Sequence, residues 1–89
     1  MTCNEFAEAL RVGPYSSVGS YPIFFATGHD VICHGCAGRE RHHIRASIRR
    51  HMARMPCDRD WLVQTVQVNW ESPDMYCSVC SAPIEAAYV

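Results

Sequence analysis

Two Cys-x-x-Cys motifs constrain this 89-residue chain more than any other feature of its sequence. The first spans Cys33 to Cys36 and the second spans Cys77 to Cys80. In a tight turn this spacing lets both sulfur atoms of a pair point toward one centre. Two such turns provide the four thiolates that zinc prefers in closed structural sites. The sequence therefore predicts one structural Zn²⁺ held by Cys33, Cys36, Cys77 and Cys80.

Other chemistries also use paired cysteines and are alternatives to zinc. A redox pair or a disulfide is disfavoured, because neither motif lies in a thioredoxin-like strand–helix–strand pattern and cytosolic thiols stay reduced. An iron–sulfur cluster also takes four thiolates, but the spacing differs from that of ferredoxins. His29 or His34 could replace one cysteine, and Cys57 could exchange with a ligand. Cys3 is predicted to be a small core residue.

The length and composition are those of one small globular domain. Eighty-nine residues are too few for two domains, so we assign residues 1–89 to a single zinc-binding domain. A chain this short buries a limited core, and a metal ion is a common supplement to its stability. No apolar run approaches the roughly 20 residues that span a bilayer, and the first residues lack the features of a secretory signal. We therefore expect a cytoplasmic protein with no membrane partner.

Periodicity and turn residues divide the domain into three parts. Residues 1–12 are predicted to form a helix, because Thr2 and Glu5 have capping-box spacing and apolar residues recur on one face. Residues 13–20 form a turn-rich loop. Residues 21–89 form a zinc-ribbon-like core.

The core is predicted to contain a hairpin, one long helix and a further strand. The hairpin covers residues 21–33 and leads into the first cysteine pair. The strand covers residues 61–70, a helical turn begins at Pro73, and the tail at 82–89 adds a short strand. The predicted fold class is thus α+β, a small zinc-stapled domain with a β-hairpin, one long helix and a short antiparallel sheet.

The long helix at residues 37–55 carries most of the positive charge. Its apolar stripe consists of Ala37, Ile44, Ile48, Met52 and Met55, and Pro56 ends it. The segment holds six arginines against Glu40 alone, a local charge of +5, whereas the remainder carries −6. Exposed arginines can pair with carboxylates or phosphates, and the alternative is that they merely solvate the helix. The residues assigned to partner binding are Arg41, Arg45, Arg49, Arg50 and Arg54.

The sequence predicts a binding protein and not an enzyme. A four-thiolate zinc site is closed, whereas catalytic zinc keeps an open coordination position. The sequence has no glycine-rich phosphate loop, nucleophile elbow or His-Glu-x-x-His motif. His42 and His43, with Arg39 and Arg41, could suggest nuclease chemistry, but their helical spacing favours a solvated face.

Several motifs stand in a characteristic order along residues 13–88. They are Gly13-Pro14-Tyr15, Tyr21-Pro22-Ile23-Phe24-Phe25-Ala26-Thr27, Val68-Asn69-Trp70-Glu71-Ser72-Pro73-Asp74, and a tail with Cys77, Cys80, Pro83-Ile84-Glu85 and Ala87-Tyr88. In this order they resemble a family of small uncharacterised zinc-ribbon-like proteins from bacteriophages, prophages and plasmids. The Asn-Trp-Glu-x-Pro-Asp segment is the most specific part. The resemblance implies an accessory protein of a mobile element and transfers no catalytic residue.

Two functional hypotheses follow. The first is a protein-binding module that inhibits host machinery or acts as an adaptor to it, and the resemblance implies host defence systems such as CRISPR complexes as targets. The alternative is a nucleic-acid-binding transcriptional regulator that uses the arginine-rich helix. Four thiolates with one Zn²⁺ would lower the net charge from −1 to −3, and an acidic particle is an unusual general DNA binder. A host protein is therefore the favoured partner.

Overall fold

The computed structural model describes residues 1–16 and 18–88 and has the predicted α+β architecture. Its helices are α1 (Cys3–Val12), α2 (His34–Arg39), α3 (Arg41–Met52) and a short 3₁₀ helix (Arg59–Trp61). Its strands are β1 (Ile23–Ala26), β2 (Val31–Ile32) and β3 (Thr65–Val68), which form an antiparallel sheet in the order β2-β1-β3. Within the described ranges, no helix is long and apolar enough to cross a membrane.

The first strand of the predicted hairpin, β1, forms the centre of the sheet. Phe25 of β1 pairs with Ile32 of β2 on one side and with Val66 of β3 on the other. Neighbouring residues of a strand point to opposite faces, and both Phe24 and Phe25 are buried. Both faces of the sheet are therefore covered at this point, and the hairpin carries β2 directly into the first cysteine pair.

Helix α1 begins with the predicted capping box. The Glu5 N–H donates to Thr2 Oγ1 at 3.1 Å, and the Thr2 N–H donates to Glu5 Oε1 at 2.8 Å. Phe6 is fully buried, and its ring meets that of Phe25 edge-on with centroids 5.4 Å apart. The buried face of α1 thus packs on the central strand of the sheet, as its periodicity requires.

The structure corrects the prediction of one continuous helix at residues 37–55. A separate helix, α2, begins at His34 because the Cys33 sulfur accepts the Cys36 N–H and caps its first turn. Glu40 has φ −102° and ψ 20°, away from helical values near −63° and −42°, and it divides α2 from α3. Side-chain periodicity does not reveal an interruption of a single residue, because the buried Ala37 and Ile44 still share one side.

Helix α3 ends at Met52, three residues earlier than predicted. Arg54 adopts a left-handed conformation with φ 59°, its N–H donates to the His51 carbonyl, and the Met55 N–H donates to the Arg50 carbonyl. This pair of bonds is a Schellman motif, which ends the helix. Pro56, the predicted stop, is therefore not the residue that ends it. Met52 and Met55, predicted in the apolar stripe, are consequently 64% and 53% exposed.

Three further predictions about the second half of the chain need correction. The strand predicted at 61–70 is only the four-residue β3, because Asp58 Oδ1 accepts the Asp60 N–H and starts the 3₁₀ helix. The segment that begins at Pro73 forms a turn and no helix. In the tail, Tyr76 and Pro83 form an isolated bridge in place of a strand. The predicted loop includes Ser17 and the predicted tail includes Val89, and both of these residues lie outside the described ranges.

Candidate metal centre and arginine surface

The two cysteine pairs meet at one place in the fold, as the sequence predicts. The sulfur atoms of Cys33, Cys36, Cys77 and Cys80 all lie within 4.8 Å of one another, and all four are free thiols. The Cys33 and Cys80 sulfurs are 3.9 Å apart, close to the roughly 3.8 Å edge of a tetrahedron with metal–sulfur bonds of about 2.3 Å. These four residues, called the four-cysteine cluster below, can hold one metal ion.

The first pair lies where β2 leads into α2. The Cys36 N–H donates to the Cys33 sulfur at 3.5 Å, and the Cys33 N–H donates to the Cys77 sulfur at 3.3 Å. His34, between the two cysteines, donates from Nε2 to the Leu10 carbonyl at 2.9 Å. The turn that positions the two thiols is therefore also joined to the last turn of α1.

The second pair lies in a turn that is fastened to β2. The Ser81 N–H donates to the Cys77 carbonyl at 2.9 Å, and Ser81 itself has φ 61°. The N–H and the hydroxyl of Ser78 both donate to the Val31 carbonyl, at 2.9 and 3.0 Å. Because Val31 belongs to the strand that leads into the first pair, β2 sets the distance between the two turns.

The environment opposes ionisation of the two thiols of the first pair and favours it at Cys77. Burial, together with hydrogen bonds among the thiols, raises the pKa of Cys36 to about 12. Burial also raises the pKa of Cys33. At Cys77, burial acts in the same direction, but backbone N–H groups of Cys33, Cys80 and Val79 donate to the sulfur and bring the pKa to about 7. A divalent cation would supply the charge that four adjacent thiolates require.

Arg39 contributes positive charge beside the cluster. It lies one helical turn after Cys36, and its Nη2 donates to the Cys36 sulfur at 3.0 Å. A guanidinium in this position favours the thiolate form, and donors to a ligating sulfur tune a metal site. From the sequence, Arg39 belongs to the basic segment and to the group with His42 and His43 that could suggest nuclease chemistry, and it was not assigned to the metal centre. Its i, i+3 spacing from Cys36 was the available signal.

The donor set restricts the kind of metal that can bind. Four sulfur ligands without imidazole or carboxylate suit zinc or thiolate-bound iron, and they exclude hard cations such as Mg²⁺ and Ca²⁺. The described residues contain no fifth donor within the group. The arrangement is therefore that of a closed, coordinatively saturated site.

No family model, curated protein or solved structure matches the chain. The resemblance to proteins of mobile elements accordingly stays a prediction from sequence motifs.

Neither candidate histidine ligand joins the cluster. His34 is engaged with the carbonyl of α1, and His29 lies between two carboxylates, with its Nε2 3.3 Å from Asp30 and 3.1 Å from Asp60. The donor atoms of His29, Asp30 and Asp60 lie within 4.8 Å of one another. Their side chains are 43–74% exposed, and exposed groups of this kind are satisfied as ion pairs, so no metal is assigned to them.

The two remaining cysteines also lie outside the cluster. Cys3 is half-buried at the edge of the core, where its thiol donates to the Arg45 carbonyl at 3.6 Å. Cys57 lines a separate hollow beside α3, next to Trp61. The predicted core position of Cys3 is consistent with this packing, and Cys57 contributes nothing to the metal centre.

All five arginines assigned to partner binding are exposed. Together they are called the arginine surface below, which consists of Arg41, Arg45, Arg49, Arg50 and Arg54. Arg41, Arg45 and Arg49 follow at intervals of four residues and line one side of α3, whereas Arg50 borders the hollow at Trp61. Among the described residues, no carboxylate forms an ion pair with any member of this surface. The positive charge is therefore not neutralised within the described part of the chain.

Asn69 is a structural residue that the sequence analysis did not single out. It is 2% exposed, and its side-chain amide donates to the carbonyls of Ser72, Ile84 and Glu85 at 3.0–3.2 Å. Its Oδ1 accepts the Ser72 N–H at 3.2 Å. Asn69 thereby ties the end of β3 to the segment that follows the second cysteine pair. Its place in the Asn-Trp-Glu-x-Pro-Asp motif was the only signal in the sequence.

Proposed function

We propose that the four-cysteine cluster binds one Zn²⁺ in a structural role. The proposal is supported by four convergent sulfurs, two of which, those of Cys33 and Cys80, lie 3.9 Å apart. Elemental analysis of protein purified without chelators is expected to give one zinc per chain. A value far below one zinc, or iron with visible charge-transfer absorption, would contradict it.

We propose further that the zinc-stapled domain is a binding module that docks through its arginine surface on an acidic macromolecule. The observation that carries this proposal is the row of arginines on α3 that no carboxylate neutralises within the described residues. Arginine side chains at an interface pair bidentately with carboxylates and are enriched among residues that dominate binding energy. The remainder of the chain carries −6 and acts as the scaffold for this surface.

A host protein is the proposed partner. The net charge of the zinc-loaded chain would be −3, so a nucleic acid would be repelled by most of the molecule while α3 attracts it. An acidic patch on a protein can match the arginine surface without covering the acidic body. Together with the resemblance to mobile-element proteins, this charge layout supports a cytoplasmic inhibitor of host machinery, or an adaptor to it, with host defence complexes among the candidate targets.

The experiment is affinity capture from nuclease-treated host lysate with wild-type protein and an Arg45→Glu/Arg49→Glu variant. The two side chains lie one turn apart on α3 and are both exposed, so their reversal should leave the fold and the zinc content unchanged. We expect the partner to be lost. The control is Arg59→Glu, which makes one such charge reversal at an exposed arginine outside the surface, and Arg45→Glu alone is compared with it. Full capture by the folded double variant would show that these arginines only solvate the helix.

The nucleic-acid alternative is tested by salt dependence. Binding of a labelled DNA duplex through several phosphates would weaken steeply between low and physiological salt and show little sequence preference. We expect no such binding at physiological salt. Salt-sensitive DNA binding that the double variant abolishes would replace the protein-binding proposal with that of a nucleic-acid regulator.

A further inference from the structure

A groove separates α1 from the start of α3. It has a volume of about 410 Å³, within the range of sites that receive ligand groups. Its apolar lining includes Phe6, Ala7 and Leu10 of α1, a helix that also contributes Arg11. At its rim lie three arginines, Arg11, Arg41 and Arg45. The groove therefore combines an apolar floor with a positively charged edge.

The charges at this rim are available to a ligand. Arg41 donates from Nη1 to the Gly38 carbonyl at 3.0 Å, which holds its guanidinium near the groove while leaving its other N–H groups free to donate. Arg45 follows one turn later and forms no ion pair with any described carboxylate. Only Arg11 has an acidic neighbour, Glu8. No acidic side chain is among the described residues that line the groove.

A second hollow of similar size on the other side of α3 has a different character. It has a volume of about 340 Å³ and is lined by His43, Ala46, Arg50 and Asp58, among others. Asp58 provides a negative charge within that hollow, so its single arginine is partly balanced. The groove beside α1 is therefore the place where apolar surface and unbalanced positive charge coincide.

We propose that this groove binds an acidic segment of the protein partner, with an apolar side chain on the floor and carboxylates on the rim arginines. A nucleic-acid backbone would satisfy the arginines but leave the apolar floor uncovered, and a neutral apolar ligand would leave the arginines unpaired. A peptide with Asp or Glu on both sides of a Leu, Ile or Phe satisfies both. The inference rests on the proposed protein-binding function and adds the site and the chemistry of the partner.

The test uses a displayed library of random peptides selected against the zinc-loaded protein. We expect enrichment of Asp and Glu around a large aliphatic or aromatic residue. Binding of the selected peptides is then measured for Ala7→Glu, because Ala7 is exposed in α1 and glutamate is a good helix former. A carboxylate placed in the groove should weaken binding about tenfold or more, through repulsion and through pairing with the rim arginines.

Two controls separate charge and position from general effects. Ala7→Gln places a side chain of similar size without charge, so it should weaken binding less than Ala7→Glu. Ala46→Glu introduces the same charge at an exposed alanine that lines the second hollow, and it should leave the affinity unchanged. The binding site can also be mapped on the wild-type protein by nuclear magnetic resonance. Peptide-induced shifts of backbone amide resonances should centre on Ala7, Leu10 and Arg45.

The outcomes distinguish this inference from the function on which it rests. Selected peptides without acidic residues, Ala7→Glu that binds as the wild type, or amide shifts centred on Ala46 and Arg50 would overturn the groove as the site. If capture of the partner is nevertheless lost on reversal of Arg45 and Arg49, the proposed function stands and only the groove is wrong. Salt-sensitive binding of a DNA oligonucleotide that reversal of Arg45 and Arg49 abolishes would assign the arginines to nucleic acid and overturn both.

Discussion

The guanidinium of Arg39 donates a hydrogen bond to the sulfur of Cys36 at 3.0 Å. This contact sets Arg39 apart from the arginines on α3, because Arg39, although exposed, donates to a cysteine of the four-cysteine cluster. Cys36 is also the thiol whose pKa burial raises to about 12. A thiol that resists ionisation thus receives a cationic donor.

We predict that Arg39→Met weakens zinc binding about 10- to 100-fold, the usual effect of removing a donor to a metal ligand. Methionine keeps much of the length of the arginine's aliphatic chain. The substitution therefore removes the charge and the hydrogen bond but little of the side-chain packing. The affinity is measured by competition with a chromophoric chelator. Arg49→Met, on the exposed side of α3, is the control and should bind zinc as the wild type does. Equal affinities for the two variants would assign Arg39 to the arginine surface.

We predict that Cys36→Ser abolishes stoichiometric zinc binding and lowers the free energy of unfolding by several kcal/mol, because metal-binding energy becomes folding energy in small domains. Chemical denaturation with and without zinc measures the effect. The wild type should lose stability on chelation, whereas the variant should not respond. Cys57→Ser lies outside the cluster and should keep one zinc. Metal loss in that variant would mean that Cys57 exchanges into the site.

We predict that Asn69→Asp lowers the free energy of unfolding by about 3 kcal/mol at neutral pH, because a buried carboxylate would face three carbonyl oxygens that now receive an amide donor. The sign of the pH dependence follows from the same geometry. The protonated carboxyl can donate, so the deficit should shrink as the pH falls. Asn4→Asp, at an exposed position of α1, should have little effect. A similar, pH-independent loss at both positions would contradict this role for Asn69.

We predict that Arg54→Gly raises the free energy of unfolding by about 0.5–1 kcal/mol, because glycine adopts the left-handed conformation without the steric penalty of an L side chain. Thermal unfolding measures the gain. Ala53→Gly is the matched control, since φ at this position is −86° and glycine there should only destabilise. If Arg54 also contributes to the arginine surface, the stabilised variant will bind the partner more weakly than the wild type.

The features that the sequence predicts well are those in which local chemistry decides the structure. The Thr2–Glu5 capping box depends on residues three apart, and the hairpin before Cys33 depends on a short β-prone run with a polar turn. The meeting of the two cysteine pairs could be predicted because one tetrahedral ion would need all four thiolates. In each case a few neighbouring side chains determine the outcome.

The features that the sequence did not reveal depend on contacts between distant segments or on a single backbone angle. Glu40 interrupts a run with good helical periodicity, and Arg54 takes a conformation that its residue type disfavours. Asn69 bonds to carbonyls up to 16 residues away, and His34 caps a helix 24 residues earlier. The intrinsic conformational preferences of these residues do not specify the distant groups to which they form hydrogen bonds.

The separation of the two cysteine turns along the chain has a consequence for how the protein folds. Cys33 and Cys77 are 44 positions apart, so a metal bound to both closes a ring that contains α2, α3, the 3₁₀ helix and β3. By the loop-closure relation for covalent crosslinks, a ring of this size removes chain entropy worth roughly 4 kcal/mol from the unfolded ensemble at 25 °C. The metal therefore restrains the denatured chain as well as the native one. A chain that unfolds with such a metal retained would begin refolding with one long-range contact already formed, and it should refold faster than the metal-free chain.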